Sequence, residues 1–156
     1  MNAPTLIFGW GNPSRGDDAL GPLLLERIEA MRTDHPEWGK IDLLTDFQLQ
    51  VEHALDLDGR RRVLFVDASA RSEESPYRVT LLESARDSSF TSHALSPRSV
   101  MHVYEEVNAS PCPPCHLLAI AGDAFELGTP LSAFARTNLE AALGWACRWL
   151  SDGAGG

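Results

Sequence analysis

The feature that most constrains the fold is a series of short apolar runs separated by segments with helical periodicity. The runs TLIFG (5–9), RVLFVDAS (62–69) and HLLAIAG (116–122) are continuous enough to be strands that are buried on both faces. Shorter runs at 41–45 and 77–83 predict two further strands. Strands that alternate with helices are typical of an α/β sandwich, in which a mostly parallel sheet carries helices on both faces.

Helical patterns occupy the stretches between these strands. The first helix is indicated by apolar residues at helical spacing from Leu20 to Met31, and Pro22 is compatible with it because it lies in the first turn. Three further helices are predicted at 51–57, 97–107 and 131–150. We expect residues 1–150 to form a single domain and residues 151–156, SDGAGG, to form a flexible C-terminal tail.

Composition excludes two classes of partner. The 156 residues include 13 basic and 22 acidic side chains, a net charge of −9, whereas binding to nucleic acid requires clustered Lys and Arg. The one basic run, 60–62, is expected to be a solvated turn. No apolar run approaches the roughly 20 residues that cross a bilayer, and the N-terminus has no basic region of a signal peptide. We therefore expect a cytoplasmic protein that binds neither nucleic acid nor a membrane.

Carboxylates follow two of the predicted strands. Asp17 and Asp18 come after the glycine turn GWGNPSRG, and Asp67 ends the apolar run of the third strand. The turn lacks the spacing of a dinucleotide or P-loop motif, and the two acids would repel a phosphate. Each acid of the pair is also a favourable N-cap or first-turn residue for the helix that follows. If the two strands are neighbours, Asp18 and Asp67 converge at the carboxyl edge of the sheet, where ligands bind in such folds.

A histidine beside two carboxylates would form a metal site with open coordination positions. His35 and His53 are expected at the surface, His102 on a helix face, and His116 at the start of a buried strand. His93 lies in a long loop, FTSHALSP, of the kind that often carries functional residues. Spacing alone does not select His93 from the five histidines.

A second motif, CPPCH (112–116), has the spacing of haem-attachment, zinc-binding and redox sites. One cysteine pair supplies only two metal ligands, and no export signal accompanies it. A structural loop with incidental thiols is the favoured interpretation, with a disulfide under oxidation as an alternative.

Several motifs in chain order resemble the hydrogenase maturation protease family, the [NiFe]-hydrogenase maturation endopeptidases. LIFGWGNPSRGDDALG resembles the N-terminal signature of that family, VLFVDA its apolar strand that ends in Asp-Ala, and TSHALSP its loop with a histidine before a helix. LLAIAG and FELGTPLS resemble the last strand and the segment that leads into the C-terminal helix. By this resemblance the metal contacts are Asp18, Asp67 and His93.

The resemblance implies a fold and an activity. The fold is a three-layer α/β sandwich with a mostly parallel, twisted five-stranded sheet. The activity is removal of the C-terminal extension from a nickel-loaded [NiFe]-hydrogenase large-subunit precursor, with Asp18 and Asp67 as catalytic residues. Gly16 and Gln48 are then the candidate substrate-binding residues. The nickel belongs to the substrate, and no organic cofactor is expected.

Two other functions fit the same carboxylate edge. A non-catalytic nickel-binding or nickel-delivery protein would bind the metal tightly and shorten no partner. A metal-dependent hydrolase would turn over a small ester or amide with zinc or manganese.

Overall fold

The computed structural model describes residues 2–70, 75–85 and 95–153. In these ranges the strands are β1 (Thr5–Trp10), β2 (Ile41–Asp46), β3 (Arg62–Ala70), β4 (Tyr77–Leu81) and β5 (Cys115–Gly122). The α-helices are α1 (Leu20–Met31), α2 (Pro97–Asn108) and α3 (Ala133–Gly153). The segment predicted as a helix at 51–57 is a 3-10 helix, Val51–Leu57, and another 3-10 turn, Gly16–Ala19, leads into α1.

The five strands form one sheet in the order β2-β1-β3-β5-β4. Strands β2, β1, β3 and β5 run parallel to one another. Strand β4 pairs with β5 in the antiparallel sense. Strand β4 alternates between half-buried and exposed positions because it lies at the edge of the sheet. The predicted α/β fold with a mostly parallel five-stranded sheet is confirmed.

Side chains from the two faces of the sheet fill two separate cores. One core joins β1, β3 and β5 to α1 and α3, and the other joins β1 and β3 to α2 and the 3-10 helix Val51–Leu57. Successive residues of one strand alternate between them, as Leu64 and Phe65 do. Helical layers therefore cover both faces. Among the described residues, no helix is long and apolar enough to span a bilayer.

The basic run 60–62 differs from the predicted solvated turn. The Arg60 side chain is buried and forms an ion pair with Asp42. Arg62 lies over the Trp149 ring at 4.3 Å and donates to the carbonyl oxygens of Trp149 (2.6 Å) and Leu150 (3.1 Å). These bonds satisfy carbonyls near the end of α3, so the guanidinium groups stabilise the fold.

The last helix also extends beyond the predicted boundary at residue 150. Ser151 to Gly153 are helical, and the Ser151 hydroxyl accepts a hydrogen bond from the Trp38 indole at 3.1 Å. This contact holds the additional turn against the domain. The predicted end of the helix at residue 150 is therefore three residues too early, and the last three residues of the predicted tail 151–156 lie outside the described ranges.

Candidate functional site

The register of the sheet brings Asp67 beside the turn that carries Asp18. The β1–β3 ladder runs from Thr5 opposite Arg62 to Gly9 opposite Val66, so Asp67 is the first β3 residue beyond it. Strand β1 ends at the same level, and the chain then leads to the 3-10 helix that contains Asp18. The condition under which Asp18 and Asp67 converge is therefore met, because β1 and β3 are neighbours.

Hydrogen bonds within the turn orient the Asp18 side chain. Its Oδ2 accepts from the backbone N–H of Asn12 at 2.7 Å, and its own N–H donates to the carbonyl of Arg15 at 3.0 Å. Gly11 has φ +146°, and a Cβ at this position would lie 1.9 Å from the Asp18 carbonyl oxygen. Only glycine fits there, which explains how the turn closes tightly around a half-buried carboxylate.

The Asp67 carboxyl group is half-buried, and the cost of removing its charge from water exceeds the gain from its hydrogen bonding. Burial raises its pKa to about 7, and the negative charge of Asp18 adds to the increase. Among the described residues, the opposing contribution comes from the Ala68 N–H, which donates a hydrogen bond to Asp67 Oδ1 at 2.8 Å. A desolvated carboxyl group next to a second carboxylate is a common arrangement at catalytic and metal sites.

Asp17, by contrast, points inward and is fully buried. Its Oδ2 accepts from the backbone N–H groups of Asp123 (2.8 Å) and Ala124 (2.9 Å). The Ser132 hydroxyl donates to Oδ2 at 2.7 Å, and the Ser132 N–H donates to Oδ1 at 2.8 Å. Burial alone would raise the pKa of Asp17, but these hydrogen bonds outweigh it and lower the pKa.

Asp17 and Asp18 lie in the first turn of the 3-10 helix Gly16–Ala19, as the alternative interpretation allows, but neither is an N-cap residue. The N-cap residues of the Gly16–Ala19 turn and of α1 are Arg15 and Ala19, and neither makes a side-chain cap bond. Asp17 instead binds at the N-terminus of α3, where Ser132 accepts from the N–H of Ala135 at 3.0 Å. A carboxylate at this position also interacts favourably with the α3 dipole.

The other predicted site residues are Gly16, Gln48 and His93. Gly16 is buried with φ +53°, and a Cβ there would lie 2.3 Å from the Ala124 carbonyl oxygen, so it packs the turn against the loop after β5. Gln48 is half-buried in the loop that follows β2. Their roles in substrate binding stay predictions. His93 lies outside the described residues, and within them no three His, Cys, Asp or Glu side chains form a group able to hold a metal ion.

His53 is buried, so its predicted surface position is wrong. Its ring packs edge-on against Phe8 with centroids 4.6 Å apart. The backbone N–H of Gln50 donates to Nδ1 at 2.8 Å, so Nε2 carries the proton and donates to Asp46 Oδ2 at 3.1 Å. The sequence contains an indication of this arrangement, because His53 is the third residue of a short helix whose N-cap residue is Gln50. These contacts anchor the loop after β2 near the candidate site.

The two cysteines of the CPPC loop lie at the opposite end of the sheet. Cys115 begins β5 opposite Val63, whereas Asp67 pairs with Ala119 four residues further along. The sulfur atoms of Cys112 and Cys115 are 3.9 Å apart. The thiols are therefore separate from the carboxylate edge.

Comparison with known proteins identifies the fold. No protein-family model matches the sequence, and the search of curated proteins gives no match. Among solved structures, the hydrogenase maturating endopeptidase HybD from E. coli superposes with a TM-score of 0.71 at 17% identity, covering 96% of this chain and 93% of that one.

Two structures from Thermococcus kodakarensis are also similar. The [NiFe] hydrogenase maturation protease HycI from strain KOD1 has a TM-score of 0.64 at 22% identity, covering 94% of this chain and 91% of that one. The HybD protease has a TM-score of 0.67 at 17% identity, with coverages of 95% and 99%. This chain thus has, over almost its whole length, the α/β fold of these solved maturation proteases.

Proposed function

We propose that this protein is an endopeptidase that removes the C-terminal extension of a [NiFe]-hydrogenase large-subunit precursor in the cytoplasm. The single observation that carries the proposal is the pair Asp18 and Asp67, two neighbouring carboxyl groups at the carboxyl edge of a sheet whose fold matches named maturation proteases. The sequence motifs around both residues support it independently.

The arrangement of the two carboxylates suits a cation rather than a phosphate. Asp18 and Asp67 supply negative charge, and His93 would add a nitrogen ligand of the kind that nickel accepts. Leu95, two residues after His93, donates its N–H to the carbonyl of Leu49 at 3.1 Å. That bond ties the chain after His93 to the loop beyond β2. We propose that the nickel is part of the substrate and marks a precursor that is ready for cleavage.

Hydrolysis of the peptide bond requires a group that accepts a proton from the attacking water and returns one to the leaving amine. Asp67, with a pKa of about 7, is well placed among the described carboxyl groups to take this proton near neutral pH. Asp18 would then hold the nickel that identifies the substrate. The water oxygen forms the new carboxylate of the mature subunit, and the released extension leaves with a free amino terminus.

The test is the intact mass of a nickel-loaded large-subunit precursor before and after incubation with this protein. A nickel-free precursor is the matched control. Loss of one C-terminal peptide from the loaded form alone is the expected result. No shortening of either form, combined with tight stoichiometric nickel binding, would replace the proposal with a nickel-delivery role. Cleavage of both forms would keep the protease and remove nickel as the recognition signal.

A further inference from the structure

We propose that the open edge of β2 binds an extended segment of the precursor by strand addition. This inference rests on the proposed function and concerns how the substrate reaches Asp18. Strand β2 is the outermost strand on its side of the sheet, and within the described ranges no other strand pairs with its outer edge. An edge strand presents backbone donors and acceptors that an extended peptide satisfies.

The orientation of individual β2 residues follows from two hydrogen bonds. The Asp46 carbonyl accepts from the Gly11 N–H, so it faces β1, and the Ile41 carbonyl accepts from the Arg32 guanidinium on the outer side. In a strand, the backbone groups of alternate residues point to opposite sides. The N–H and C=O groups of Leu43 and Thr45 therefore point outward, while Arg32 closes the far end of the edge.

Two depressions that share lining residues lie between this edge and the turn that carries Asp18. The first, of about 660 Å³, lies between α1 and β2, and its lining includes Pro22, Leu25, Leu43 and Thr45. The second, of about 220 Å³, shares Pro22 and Thr45 with the first and is also lined by Gly11 and Phe47. Gly11 in turn lies against Asp18. The two depressions thus lead from the edge to the turn that carries Asp18.

The dimensions of a sheet agree with this path. Neighbouring strands lie about 4.8 Å apart, so an added strand would be roughly 10 Å from β1, at whose end the turn with Asp18 begins. Three extended residues span about 10 Å. A segment paired with Leu43 and Thr45 that then crosses the carboxyl end of β1 therefore covers this distance in about three residues.

Phe47 forms the apolar wall of this path. Its side chain is 68% exposed, although its backbone is held by a 2.7 Å hydrogen bond to Asp46 Oδ1. A large apolar side chain exposed beside the path suits contact with an apolar substrate side chain. The occupant we infer is thus an extended segment with an apolar residue near the cleaved bond.

The first experiment uses amide hydrogen exchange on the wild-type protein. The probes are the nickel-loaded precursor and a synthetic peptide with the sequence of its C-terminal extension. We expect the amides of Leu43 and Thr45 to exchange at least tenfold more slowly with saturating precursor or peptide. Unchanged exchange at both amides in the precursor complex would overturn the inference.

The second experiment uses Thr45→Pro, which removes one outward N–H while proline remains acceptable on an edge strand. The matched control is Leu81→Pro on β4. Pro76 and Leu82 bond to β5, so the Leu81 N–H also faces outward, and its side chain is 66% exposed. We expect Thr45→Pro to raise the KM for precursor at least tenfold with kcat within a factor of three. Leu81→Pro should leave both constants near wild type.

The outcomes separate this inference from the proposed function. Precursor shortening by wild type, with no KM increase in a folded Thr45→Pro variant, would overturn strand addition and leave the endopeptidase intact. Protection of Leu43 and Thr45 without shortening would support the edge as the binding surface and contradict the proposed cleavage.

Discussion

Asp17 and Asp67 lie near the same edge of the sheet, yet the pKa values of their carboxyl groups are shifted in opposite directions. Asp17 is buried with four hydrogen bonds from Asp123, Ala124 and Ser132, and its pKa is lowered. Within the described part of the chain, Asp67 receives one hydrogen bond, from Ala68, and its pKa is raised to about 7. The difference distinguishes a carboxylate that stabilises the fold from one that we propose binds a ligand.

The two arrangements have opposite effects on the stability of the native state. A buried carboxylate with a full set of donors stabilises the native state, whereas a desolvated carboxylate beside another acid destabilises it when ionised. Functional sites commonly carry such a cost in stability. We therefore expect substitution of Asp17 to reduce stability and substitution of Asp67 to increase it at neutral pH.

The largest effect on stability is expected for Asp17→Asn. The amide group places an N–H where the carboxylate accepts from N–H and O–H donors, so at least one buried donor loses its acceptor. We expect the free energy of unfolding at pH 7 to fall by about 3 kcal/mol, measured by urea denaturation. Because the pKa of Asp17 is lowered in the folded state, this difference from wild type should shrink as the pH falls below 4. A change below about 0.5 kcal/mol at pH 7 would show that these bonds contribute little.

Asp67→Asn should have a smaller effect of the opposite sign. With a pKa near 7 when folded and an ordinary value of 3.8 when unfolded, Asp67 binds more proton in the native state between these limits. Its contribution to stability therefore decreases as the pH rises from 4 to 7. A shift of about three pKa units sets an upper limit of about 4 kcal/mol. Because the side chain is half-buried and water relaxes around the ionised form, we expect the variant to exceed wild type by about 2 kcal/mol at pH 8. It should lose that advantage at pH 4, as measured by denaturation across this range. A constant difference at every pH would contradict the raised pKa.

Ser132→Ala should have the smallest effect of the three. Alanine keeps the backbone N–H that bonds Asp17 Oδ1, but it loses both the hydroxyl donor to Asp17 and the acceptor for the Ala135 N–H. We expect a loss of about 1 kcal/mol in urea denaturation. A loss equal to that of Asp17→Asn would mean that the hydroxyl accounts for the whole effect of the carboxylate.

Much of the fold could be predicted because its strands are buried on both faces and so appear as continuous apolar runs. The adjacency of Asp18 and Asp67 followed from the same logic, since parallel strands end at one edge. The role of Asp17 could not be predicted in this way. Its partner Ser132 is 115 residues away in the chain, and nothing local distinguishes a cap for α1 from one for α3.

His53 and the arginine run were misassigned for a related reason. A short helix and a charged triplet both look solvated in sequence, whereas their burial depends on tertiary partners such as Phe8, Asp42 and Trp149. Tertiary contacts thus decided the environment of these side chains.

The most direct test of the central claim is the rate at which Asp67→Asn shortens a nickel-loaded large-subunit precursor, followed by intact mass. Asp152→Asn is the matched control because it removes the same charge from an exposed position on α3. We expect Asp67→Asn to be slower than wild type by a factor of about 10²–10⁴ although it is folded and more stable at pH 8. Asp152→Asn should match wild type. Cleavage by Asp67→Asn at the wild-type rate would contradict the assignment of the carboxylate edge as the active site.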